Sequence, residues 1–68
     1  MRKGREPNGL FSAIMDSENY TKAAIWCFEM FGKQNQPGYK GIWSQPCSGS
    51  KFLFENKVDR DYFMKEWQ

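Results

Sequence analysis

The chain has 68 residues, with ten Lys and Arg against eight Asp and Glu for a formal net charge of +2, and no histidine. A length this short leaves room for one small domain, while 40% hydrophobic and 18% aromatic residues exclude an intrinsically disordered chain. The charge bias falls short of the basic stripe of a dedicated nucleic-acid binder, and no apolar run reaches the ~20 residues that cross a bilayer.

Residues 1–8 combine four charges with Gly4, Pro7 and Asn8 and hold no apolar residue after Met1, so they read as a flexible, solvated basic arm. No apolar core of secretory length follows this charged start, which makes the cytoplasm the expected compartment. A single small α+β domain is expected over residues 9–68. Its first segment, Gly9 to Met15, is apolar but too short for periodicity to classify; after Asn8 it could form a short helical turn docked on the core.

The strongest element runs from Ser17 to Phe31. Asp16 or Ser17 is placed to cap its first turn, and Gly32 can take the left-handed conformation that ends helices. Steps of ~100° set Tyr20, Ala23, Ala24, Trp26, Cys27, Phe28, Met30 and Phe31 on one arc and Thr21, Lys22, Glu29 and Lys33 opposite, with Ile25 breaking the pattern. An arc of roughly 200° is about twice the width a core-facing stripe needs. The helix therefore carries more apolar surface than so small a chain is expected to cover.

Pro37-Gly38 marks a turn within a polar loop, and Tyr39 to Ser44 reads as a strand with either face able to point inward. After a second turn at residues 45–50, Lys51 to Glu55 alternates as a cleaner strand, with Phe52 and Phe54 on one side. A two-stranded antiparallel hairpin is the simplest joining. A last helix opens at Asn56, a candidate cap, with Asp59 in its first turn and Phe63 and Trp67 spaced to share one face. The expected fold is α+β: helix, hairpin, C-terminal helix.

The usual chemistry is hard to find. With no histidine the ordinary neutral-pH base is missing, and the glycines form no phosphate-binding fingerprint, so no catalytic residue or cofactor is assigned. Cys27 reads as a small buried hydrophobe and Cys47 as an exposed free thiol; two cysteines 20 positions apart supply half a zinc set at most, so no metal is assigned either.

The segment from Phe52 to Trp67, with its Phe-x-Phe strand followed by Asp59, Phe63 and a terminal Trp67, resembles small accessory proteins of large contractile-tailed phages. The resemblance implies a small cytoplasmic protein made in an infected host, and it brings no catalytic residues. The expected function is non-enzymatic: binding a protein, viral, host or a second copy in a homodimer, with Trp26, Met30, Ile25 and Trp43 as the candidate interface. The alternative is weak binding of single-stranded nucleic acid by the hairpin aromatics and the arm, through Arg2, Lys3, Arg5, Tyr39, Lys40, Trp43 and Lys51.

Overall fold

A computed structural model describes residues 2–15, 17–45 and 50–67. It shows a four-stranded antiparallel sheet with two helices: β1 (Arg2–Arg5), β2 (Phe11–Ile14), α1 (Tyr20–Phe31), β3 (Trp43–Ser44), β4 (Lys51–Phe54) and α2 (Lys57–Trp67). The α+β class is as expected. The sheet, in the order β1-β2-β4-β3, is twice the width of the expected hairpin.

Both extra strands come from the N-terminal segment. Residues 2–5, expected as a solvated arm, pair with β2 from Arg2 opposite Ile14 to Arg5 opposite Phe11. The segment that could have been a helical turn supplies β2, which pairs on its other side with β4, Phe11 opposite Phe54 and Ala13 opposite Phe52. The β1–β2 turn is closed by Glu6 N–H donating to the Leu10 carbonyl at 2.7 Å and Gly9 N–H to the Glu6 carbonyl at 3.0 Å. Lys51 Nζ then reaches across to Glu6 at 3.1 Å.

Because directly paired residues share a face of the sheet, Phe11, Ala13, Trp43, Phe52 and Phe54 all point to one side. Both helices cover that side. Phe52, Phe54 and Phe63 are fully buried, with Phe63 ring centroids 4.8 Å from Phe52 and 5.3 Å from Phe54. From α1, Ala23 and Cys27 are buried, while Tyr20 and Phe31 lay their rings against Phe52 and Phe54. The Phe-x-Phe strand and Phe63 are thus core residues.

The main helix is preceded by a 3-10 turn at Ser17–Asn19 instead of starting at Ser17, and Asn19 makes no side-chain cap. The proposed cap Asp16 lies outside the described residues, as does Cys47. Gly32 ends the helix as anticipated, but at φ 85° and ψ −163°, a glycine-only conformation other than the left-handed helical one expected, its N–H donating to the Phe28 carbonyl at 2.9 Å. The Pro37-Gly38 turn also forms, but it pairs Gln36 with Tyr39 through two backbone hydrogen bonds, so the expected strand from Tyr39 shrinks to Trp43–Ser44. Asn56 directly precedes α2 and donates its side-chain amide to Asp59 at 3.0 Å.

Gly41 sits where the chain crosses itself. A Cβ there would lie 2.5 Å from the Lys33 carbonyl oxygen, 2.8 Å from the Asn35 nitrogen and 2.9 Å from the Gln34 carbonyl carbon, all backbone atoms that cannot rotate away. Gly41→Ala is therefore expected to cost ~1–3 kcal/mol, the usual range for overpacking, read as a lower urea midpoint at unchanged slope. A midpoint equal to that of the parent chain would mean the 33–41 crossing is looser than its contacts imply.

Candidate functional site

The four candidate interface residues do not form one surface. Trp43 is only 3% exposed, packed on Phe52 with its indole N–H donating to the Gly32 carbonyl at 2.8 Å. Trp26 is half-buried in a cluster of rings with Phe31, Tyr62, Phe63 and Trp67, at centroid distances of 5.6–6.3 Å. It joins α1 to α2. Ile25 and Met30 are exposed, at 56% and 49%, but five residues apart on a helix they point about 140° away from each other.

What the structure does present is a surface centred on Ile25 and Phe28. Phe28, placed on the inward arc by its spacing, is 55% exposed. An open groove of about 470 Å³ runs along this flank of α1, with Ala24, Ile25 and Phe28 on one wall, Gln34, Gln36 and Gln45 on the other, and Trp43 at the base. The far wall is fixed: Gln34 Oε1 accepts from the Gln45 N–H at 3.0 Å, and the Asn35 N–H donates to the Trp43 carbonyl at 2.6 Å. The spacing of Thr21, Ile25 and Phe28 at four and three residues was a readable sign of this stripe.

The nucleic-acid set is dispersed too. Arg2, Lys3 and Arg5 lie on β1, at one edge of the sheet, whereas Tyr39 and Lys40 lie on the loop that leads to β3 at the other. Tyr39 is taken up by Lys33, whose Nζ stands 5.8 Å from its ring centroid. Lys51 is half-buried and paired with Glu6. With Trp43 buried, the hairpin offers no aromatic platform for stacked bases.

Burial pushes the Cys27 thiol up to about 12, so it is neutral at physiological pH and a poor nucleophile. Among the described residues no three Cys, Asp or Glu are gathered closely enough to hold a metal ion, and no helix is long and apolar enough to cross a membrane. Comparison with protein-family models, with curated proteins and with solved structures yields no match.

Proposed function

We propose that the chain is a non-enzymatic protein-binding module that self-associates through the outer face of α1. The observation that carries this reading is the pair Ile25 and Phe28, both more than half exposed beside an apolar groove, in a chain whose other large side chains are mostly drawn inward. The role fits a small accessory protein, the class that residues 52–67 resemble.

The charges on the same face favour a second copy as the occupant. Lys22 and Glu29, both exposed, stand seven residues apart with Ile25 between them, so they bracket one side of the helix. Two copies of α1 packed antiparallel about a two-fold axis beside Ile25 would set Lys22 of each against Glu29 of the other. Such a surface complements itself. One three-turn helix and its groove make a small interface, so the dimer is expected to be weak, with a dissociation constant on the order of micromolar to hundreds of micromolar.

Sedimentation equilibrium from micromolar to millimolar chain tests this directly. Lys22→Glu and Glu29→Lys each replace two attractive pairs by repulsive ones and are expected to weaken the dimer about tenfold, and the double reversal is expected to restore it. Ile25→Asp should leave the fold intact and abolish association. A single-chain mass throughout, or single reversals that change nothing, would end this reading.

A further inference from the structure

The sheet edge opposite the groove carries a different surface. α2 packs mainly over β2 and β4, and Lys3 and Arg5 of β1 stay exposed beside it. They project to the helix side of the sheet, because they pair with Ala13 and Phe11, whose side chains face the helices. Across from them on α2 stand Lys57 and Arg60, three residues apart and so on one face of the helix. The result is an open cleft of about 450 Å³ lined by Lys3, Gly4, Arg5, Phe11, Lys57 and Arg60. Four of the chain's ten basic residues meet here, brought together from positions more than 50 apart in sequence.

The cleft is ordered as well as charged. Arg60 is 4% exposed, and its Nη1 donates to the Gly4 carbonyl at 2.9 Å and the Ser12 carbonyl at 3.4 Å. Phe11 holds two guanidinium groups at its ring, Arg60 at 5.4 Å and Arg5 at 5.6 Å from the centroid. Asp61 is the acid beside the cluster. It accepts from Arg60 Nε at 2.7 Å, and that hydrogen bond, aided by the charges of Arg60, Lys57 and Lys3, holds its carboxyl below the usual carboxylate range. One carboxylate against four cations leaves the cleft with an excess of three positive charges, which repel one another until an anion enters.

The geometry points to the cleft between β1 and α2 as a binding site for the phosphate backbone of single-stranded nucleic acid. Lys3 and Arg5 stand about 6.6–6.8 Å apart along the strand, close to the interval between successive phosphates on an extended chain, and the exposed Lys57 faces them from α2, while the buried Arg60 holds the floor of the cleft. A phosphodiester strand offers one charge per nucleotide along a continuous line, which the exposed cations on the two sides of the cleft can track. Arg5, exposed and held against the Phe11 ring, also presents a flat guanidinium on which a base can stack. An acidic peptide, with charges on flexible arms, would use the cations but not this planar arrangement. The site differs in residues and position from the expected hairpin surface, sharing only Lys3 and Arg5 with it, and it is independent of the α1 face.

Fluorescence anisotropy with a short labelled oligothymidylate at low salt is the test. Three phosphate contacts, from the exposed Lys3, Arg5 and Lys57, predict a slope of log affinity against log salt of about −2, at ~0.7 per contact for a single strand. Arg5→Ala and Lys57→Ala should each lower the slope by about 0.7 and weaken binding several-fold, while Lys22→Ala and Lys40→Ala leave both unchanged. Lys57→Ala should also leave the sedimentation mass unaltered, which separates this site from self-association. Absence of oligonucleotide binding at low salt, equal loss with the Lys22 and Lys40 controls, or tighter binding of a labelled poly-glutamate peptide would each overturn the proposal, the last in favour of an acidic protein partner.

Discussion

Phe63→Ala is expected to leave the chain largely unfolded near room temperature, with no cooperative transition on heating. Phe63 has no exposed surface and is the point where α2 meets both inward rings of β4, within 4.8 Å of Phe52 and 5.3 Å of Phe54, with Trp26 of α1 at 5.9 Å. Truncating a buried phenylalanine costs ~3–5 kcal/mol, from lost transfer free energy and from the cavity left behind. A core of this size typically supplies only ~3–5 kcal/mol in total. The two are equal, so nothing remains to hold the fold. Val58, on the same helix but 77% exposed, provides the comparison: Val58→Ala should stay within ~0.5 kcal/mol of the parent. Circular dichroism melts of the two variants decide the matter, and a sigmoidal Phe63→Ala transition within a few degrees of the parent would refute the claim.

The second large effect is expected at Arg60, the one charged side chain in the buried set among the described residues. Its guanidinium ties α2 to both N-terminal strands through the Gly4 and Ser12 carbonyls. Arg60→Ala removes those donors and opens space over Phe11, at a cost of ~2–3 kcal/mol, the range for hydrogen bonds made by a charged group. Arg60→Lys should recover only part of this, since a single ammonium cannot reproduce the planar fork. The loss is expected to be local. Amide hydrogen exchange should show β1 unprotected in Arg60→Ala while β4 keeps its protection, and unchanged β1 protection would rule this role out. The Asp61 partner adds a pH signature. Its folded-state pKa lies below the unfolded value, so its contribution is present at neutral pH and is lost as the pH falls through and below the usual carboxylate range. That acid-side dependence should be reduced in Arg60→Ala.

How much of this could be read in advance differs by element. α1 was legible because twelve residues contain more than three turns of periodic signal, and Gly32 marks its end by backbone freedom alone. β4 was legible from the alternation of Phe52 and Phe54, and α2 from Phe63 and Trp67 one turn apart. β2 was ambiguous since a short apolar run fits a strand or a helical turn equally well. β1 was invisible. Arg2, Lys3, Gly4 and Arg5 have no apolar residue and little strand preference of their own; they form a strand because β2 offers a free edge, and strands at sheet edges commonly carry basic side chains that deter further pairing.

The surfaces divide along the same line. The excess of apolar surface on α1 followed from composition and a helical period, both local properties, and it survives in the structure as Phe28 and Met30, with Ile25, outside that arc, exposed beside Phe28, while Trp26 of α1 and Trp43 of β3 are drawn inside. Burial of an aromatic depends on which neighbours surround it, and for Trp43 those are Phe52 on the neighbouring strand and the Gly32 carbonyl at the end of a helix. The basic cleft lies further still from local reading. Lys3 and Arg5 meet Lys57 and Arg60 only because the last helix folds back over the first hairpin.

By itself the amino-acid sequence determined the α+β class, both helices, the turn at Pro37-Gly38, the alternating Phe-x-Phe strand and the burial of Cys27, but not which face of that strand is buried. Each follows from residues within a few positions of one another, through period, turn chemistry and hydrophobicity. Tertiary structure alone decided the four-stranded sheet, which rings became core, and which charges share a cleft. Strand pairing and charge clustering are contacts between segments far apart in the chain, and their free energy comes into being only when the fold brings those segments together.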